Sequence, residues 1–385
     1  TGLFGPRPAA SAGPAAAQLA RFRWSKLPPS PLGQRDGSVV AWTGHELLEF
    51  GGYRHKHITG AGAAFDPATG RWHRIAGPGS ATMGFLGAPS VWTGRQLFVA
   101  DEACPPAKGG TGTSASCWPR AGLYNPATNR WTQLRLPGSL YGLFVSSVVW
   151  TGRDVVVAGE NFSNGRLGVA AYNPATGRWR VITPTVPAGH PAGMVAMTAT
   201  TSRLILWSMW NRGHGSANRS GVDVLAMGPG GRWRDITGHW PQRQIVGGPF
   251  FTGSSILVPP EQHWCDLSCR ERSESYFPGY FANPVTLART TIPAGPIGSL
   301  GPEYVWTGRV ILAVNNTTIG TGSTSGNNHI TVGPGLSALF DPGTGRWQRL
   351  PHPPGYPHVG SVSPVWDGHE LLVLSAGGQL LALHG

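Results

Sequence analysis

Carboxylates and lysine are scarce in this chain. Only 18 of its 385 residues are Asp or Glu, and charged residues make up 12%. Lysine occurs at Lys26, Lys56 and Lys108 alone, so the formal charge of +12 is carried by arginine. The arginines are scattered through turns and do not gather into runs, which argues against a nucleic-acid-binding protein. A positive field of this kind still favours an anionic ligand such as an acidic polysaccharide or a cell envelope. No run of about eighteen apolar residues occurs, so no transmembrane segment is predicted. Gly-x-Ser-x-Gly, His-Glu-x-x-His, a phosphate-binding glycine loop and Cys-x-x-Cys are all missing, which removes the commonest hydrolase, zinc-protease, nucleotide-binding and redox signatures. Helix-forming runs are scarce as well.

What is present is a set of turns and aromatics: 57 Gly, 35 Pro and 16 Trp. One refrain reads Tyr172-Asn173-Pro174-Ala175-Thr176-Gly177-Arg178-Trp179, with near-copies at Phe65 to Trp72, Tyr124 to Trp131 and Phe340 to Trp347. A second refrain precedes each copy, at Trp42-Thr43-Gly44, Trp92-Thr93-Gly94, Trp150-Thr151-Gly152, Trp306-Thr307-Gly308 and Trp366-Asp367-Gly368, each leading into a short apolar run. Such runs read as buried strands, and Thr-Gly reads as a tight hairpin turn. In the Asn-Pro-x-Thr-Gly turn the Asx side chain caps the backbone, Pro presets φ and Gly takes the left-handed corner. The Trp that follows is expected to wedge between neighbouring units.

The repeating unit is therefore four antiparallel strands. Including a worn start near Met197-Thr198, one at Phe251-Thr252-Gly253 and a worn copy of the first refrain at Phe281-Ala282-Asn283-Pro284, seven units fit the chain. The last unit lacks its fourth strand, and Arg21 to Leu27, which resembles the sequence after every other Arg-Trp, is expected to supply it. That pairing closes the ring and removes both exposed sheet edges. The expected fold is all-β, a seven-bladed β-propeller of four-stranded antiparallel blades over residues 21–385. An Ala/Pro/Gly-rich stretch at 1–20 reads as a linker left after a signal peptide or anchor.

Trp-Thr-Gly, the glycine pair Gly51-Gly52 and Tyr-Asn-Pro-x-Thr-x-x-Trp together resemble the bacterial kelch-type propellers, related in fold to the central domain of galactose oxidase. The resemblance implies the fold and says little about function, because these motifs are scaffold turns. It brings three enzyme classes into view. The Asp-box of sialidase propellers is missing. Copper-radical oxidases need a Tyr-His step that Tyr356-Pro357-His358 matches poorly. Some polysaccharide lyases do use seven-bladed propellers.

In such a ring the loops between second and third strands, and those between blades, share one face, and every long insertion falls there. Ten residues on from the turn aromatic, Glu102, Glu160 and Glu261 are expected at one rim level, as an acid and base, as oxygen ligands for a structural Ca²⁺ or other divalent metal, or simply as solvated partners of arginine. Arg54, His55, His57, His214, Arg219, His263 and Tyr276 come from the insertions, and Arg35, Tyr141, His190, Trp240, Arg243 and His358 from the loops between blades. Arginines suit a uronate carboxylate, Tyr141 and Trp240 suit stacking on a sugar, and His57, His190, His214, His263, His358 and Tyr276 are candidate bases for β-elimination. Cys104, Cys117, Cys265 and Cys269 form two local pairs in two insertions, as two disulfides of an exported or envelope-attached protein do. Three connectivities are open, and His263-x-Cys265-x-x-x-Cys269 allows a metal site instead. The sequence reads as a monomeric, exported binder of an acidic polysaccharide, with lyase or glycoside hydrolase activity, or a protein-binding kelch role, as alternatives.

Overall fold

A computed structural model of the chain describes residues 22–54, 57–78, 88–103, 118–161, 164–212, 219–240, 248–263, 275–296, 303–324, 327–354 and 362–385. At the hairpin tips 101–103, 118–119, 211–212, 219–220, 261–263, 275–277, 316–324 and 327–335 the description is of the backbone. The chain forms seven four-stranded antiparallel sheets. Blade 3 is representative, with strands Phe144–Trp150, Val155–Asn161, Arg166–Asn173 and Arg178–Val181 in that order. First strands of blades 1 to 5, of blades 6 and 7, and of blades 7 and 1 neighbour one another in turn, so they line the centre. Second strands are buried on both faces, as in Leu47–Phe50 and Leu371–Ser375, whereas fourth strands are largely exposed.

The ring closes as expected. Arg23–Leu27 pairs antiparallel with Leu380–His384, from Arg23 opposite His384 to Leu27 opposite Leu380, and completes blade 7 from outside. The seam is sealed by Leu47 and Phe65 of blade 1 packed with Leu372, Leu374, Leu380 and Ala382 of blade 7.

The turns follow from their residues. The Asx side chains of Asp66, Asn125, Asn173, Asn283 and Asp341 each accept a hydrogen bond from the backbone N–H two residues on. In the other turn the Thr43, Thr93, Thr151, Thr252 and Thr307 hydroxyls accept the N–H three residues on. Gly177 sits at φ 67°, a region where a Cβ costs energy.

Each gap between blades holds an apolar cluster, and in every gap except that between blades 4 and 5 the tryptophan of the first refrain, or Trp24 in its place, borders it. These tryptophans also make a bond that their spacing does not announce. The indole Nε1 of Trp24 donates to the Pro351 carbonyl, Trp72 to Pro28, Trp131 to Ala76 and Trp347 to Pro293, each at 2.8 Å, and Trp233 donates to Ile182. In every case the acceptor lies just past the outer strand of the preceding blade. The tryptophan is a latch as well as a wedge.

Two expectations about the worn blades need correction. Blade 4 turns at Thr200 to Arg203, where the Thr200 hydroxyl accepts the Arg203 N–H, and Met197-Thr198 lies inside the first strand, Ala192–Ala199. In blade 5 the residue facing Ile256 is Ala282, which in turn faces Arg289. Tyr172 and Trp179 hold those places in blade 3, so Ala282 and Arg289 replace the aromatic pair, and Phe281 points the other way, into the core shared with blade 6.

Candidate functional site

On the long-loop face, blades 3 and 4 bring a histidine, a carboxylate and an indole together. His190 lies in the loop between these blades. Its position is set by a turn in which its N–H bonds the Pro187 carbonyl, and by the Ala192 N–H, which reaches the Gly165 carbonyl at the hairpin tip of blade 3. Asp223 lies in the third strand of blade 4, Arg219–Met227. Its two carboxylate oxygens each stand 3.0 Å from His190 Nδ1. The imidazole stacks on Trp210, centroids 4.0 Å apart and planes 15° apart.

The reason Trp210 can lie flat there is Gly221. The two residues face each other across the second and third strands, and a Cβ on Gly221 would stand 2.5 Å from the indole. Trp210 is thus sandwiched between bare backbone and the imidazole. The Asp223 side chain is 5% exposed and the His190 side chain 30%. Burial pushes the Asp223 carboxyl above the usual range, and the hydrogen bond from His190 opposes that shift. With Nδ1 committed to the carboxylate, Nε2 is directed away from it. A carboxylate-oriented imidazole whose second nitrogen has no hydrogen-bond partner among the described residues has the arrangement of a general base.

The neighbouring surface is aromatic and cationic. Tyr141 and Phe144 are 45% and 46% exposed. Arg166, also exposed, donates to the carbonyl oxygens of Ser139 and Tyr141, so its guanidinium fixes the loop that presents Tyr141. Comparison with known proteins assigns no family: neither a family model nor a curated protein matches the chain. The reading therefore rests on the geometry.

The remaining candidates fall into three groups. His57, Arg54 and Tyr141 are exposed on the long-loop face, the first two on a small hairpin, Tyr53–Arg54 with His57–Ile58. They share a face with His190, but lie on other loops.

A second group proves structural. Trp240 is 5% exposed and packs edge-on against Trp207 in the core between blades 4 and 5, so neither of its faces is open to a sugar. Arg35, 3% exposed, donates to the carbonyls of Gly51 and Leu32, and its Nε lies 3.7 Å from Glu49 Oε1. It braces a turn and offers nothing to a uronate. Glu160 is fully buried, its Oε2 2.7 Å from the Ser146 hydroxyl, which also lies 2.9 Å from the Val195 carbonyl oxygen. The group joins blades 3 and 4 from inside and is not a rim residue. The common glutamate level holds for the backbones of Glu102 and Glu160 but breaks at Glu261. The second strand of blade 5 stops at Val258, because Pro259 and Pro260 cannot donate to a ladder, and Glu261 begins a separate ribbon, Glu261–His263 with Ser275–Phe277.

For His263, Tyr276, Arg219 and Glu102 the backbone alone is placed, and Arg219 stands opposite Arg212 beyond Trp210. His55, His214, Arg243, His358, Cys104, Cys117, Cys265 and Cys269 lie outside the described residues. Among the described residues no three His, Cys, Asp or Glu side chains form a metal-binding group.

Asp223 and Trp210 were not singled out from the sequence. The signal for Asp223 is a lone carboxylate in the apolar run Gly221-Val222-Asp223-Val224-Leu225, where a charge is costly unless it has work or a partner.

Proposed function

We propose that this protein is a kelch-type, carbohydrate-binding propeller acting as a monomer outside the cell or on its envelope, and that the mouth over blades 3 and 4 holds an anionic polysaccharide. The observation that carries this reading is the ordered His190–Asp223 pair beside exposed Tyr141, Phe144 and Arg166. Sugars are gripped by stacking on aromatic rings, and uronates by fixed cations and imidazoles. Paired cysteines in the long insertions would suit an oxidising location.

The test is binding to a panel of acidic and neutral glycans at low salt. Wild-type protein should retain an acidic glycan, and Tyr141→Ala and His190→Ala should each weaken retention about tenfold. No retention by the wild type, or retention by both variants equal to that of the wild type, would sink the proposal.

One observation favours catalysis as a second reading. His190 Nε2, its ring held by Asp223, is suited to take the proton beside a uronate carboxylate. The electron pair left behind forms a double bond as the glycosidic oxygen departs, and the products are an unsaturated uronide and a new chain end. Ultraviolet absorbance by the unsaturated product, lost in His190→Ala, separates a lyase from a binder.

A further inference from the structure

A second, separate cavity lies on the outer wall of the ring, between blades 4 and 5, and begins in a sequence anomaly. Blade 4 replaces the Asn-Pro turn by Gly228-Pro229-Gly230-Gly231, and blade 5 replaces the Tyr-Trp pair by Ala282 and Arg289. Everywhere that the latch is seen, the indole of one blade fills the space against the blade before it. Here Arg289 stands in place of the latch tryptophan, and no indole of blade 5 does so among the described residues. By the offset seen for Trp233 and Ile182, a tryptophan at position 289 would bond Ile236, and Ile236 is instead a wall of an open cleft of about 670 Å³. Leu287, at φ 62° where other blades have Gly70, Gly177 or Gly345, turns its side chain into the adjoining core.

The lining is one-sided in charge. Arg203, Arg232, Arg234 and His239 face the cleft with Ala226, Ile236, Val285, Thr286 and Leu287, and among the described residues no carboxylate lines it. Arg203 bridges the two blades by donating to the Val285 carbonyl at 3.2 Å. The nearest acid along the chain, Asp235, is turned to Thr237, whose side-chain and backbone N–H hydrogen bonds hold its carboxyl below the usual range. Among the described residues, none of the three arginines is ion-paired. Three guanidinium groups and an imidazole converging without counter-charge match a multiply charged oxyanion, which accepts paired N–H bonds from each fork. The apolar wall and the volume suit a small organic body attached to it.

We infer that this cleft is a binding site for a small molecule carrying a phosphate or sulfate ester, created where blade 5 gave up its latch. It is independent of the mouth: Arg203 and the Gly228 to Gly231 turn belong to the short-turn face, and His190 to the long-loop face.

The test is calorimetric titration of the full chain at low salt with inorganic phosphate, glucose 6-phosphate, glucose 6-sulfate and glucuronate. Saturable binding of at least one ester, weakened by added salt, is expected, and the two esters distinguish the sources. Arg232→Gln and Arg234→Gln, both at exposed positions, should each weaken it about tenfold. Arg289→Trp should abolish binding by filling the cleft while raising the melting temperature. His190→Ala should leave ester binding unchanged. Absence of ester binding in the wild type, binding that survives Arg289→Trp, or wild-type affinity in both arginine variants would overturn the inference. Preference for glucuronate over both esters would do the same.

Discussion

Replacing Trp72 by Phe tests whether the indole latch stabilises the ring beyond simple packing. Trp72 stands beside Phe65, centroids 5.3 Å apart, in the seam between blades 7 and 1, and its Nε1 donates to the Pro28 carbonyl at 2.8 Å. Phenylalanine keeps an aromatic ring but removes that donor. A net hydrogen bond is worth about 1 kcal/mol. The smaller ring forfeits about 1 kcal/mol more in buried apolar surface. The sum, about 2 kcal/mol, corresponds to a melting shift of roughly 2–3 °C in a domain of this size. Trp179 supplies the control, because it packs beside Tyr172 in the same way with no such bond among the described residues. Trp179→Phe should therefore cost only the packing component, about 1 kcal/mol. Urea unfolding of both variants, with calorimetry at two scan rates to detect irreversibility, measures the difference. Equal losses would refute the latch and leave the tryptophans as wedges alone.

Removing residues 22–27 should expose Leu380–His384 as an edge and yield aggregated protein. A soluble deletion with cooperative melting, seen by size-exclusion chromatography and calorimetry, would contradict closure by that strand. Glu49 gives a pH signature. Burial raises its pKa above the ordinary glutamate value, opposed by hydrogen bonding from Ser30 and the charge of Arg35. The folded state then holds the proton more tightly than the unfolded state, so the contribution is fully present below the unfolded pKa and is lost as pH rises through the folded one. The stability of wild type relative to Glu49→Gln should accordingly fall as pH rises across that window, followed by denaturant unfolding at a series of pH values. The opposite slope would mean that the Arg35 interaction, and not burial, dominates.

The architecture was legible because its determinants are local. Asn173, Thr176 and Gly177 act on backbone a few residues away, and repetition of the same letters counts the blades. The two worn blades were harder to align because Ala282 and Arg289 keep the spacing of the motif and lose its chemistry. The site was much less legible. Spacing placed Glu160 and Trp240 at loop ends on the functional face, but whether a side chain there points to solvent or into the gap between blades depends on strand register and on neighbours many residues away. Ser146 and Val195 enclose Glu160, and Trp207 and Tyr280 enclose Trp240. His190 was recognisable as a candidate, yet its partner Asp223 is 33 positions away, on the next blade. No local pattern joins them.

The outer strand of blade 7 is synthesised before every other strand of the ring and is the last to find its place. Arg23–Leu27 pairs with a strand that begins at Leu380, so closure must wait while the intervening chain is made, roughly 20–70 s at about 5–20 residues per second. During that interval blade 1 can form, but its seam has no neighbour, and Leu47 and Phe65 remain without Leu372 and Leu374. A chain that stops short of the final strand cannot hide this surface. Completion of the ring is thus also a check on synthesis of its last strand: only a chain that has reached Leu380–His384 can pair that strand with Arg23–Leu27 and cover the seam.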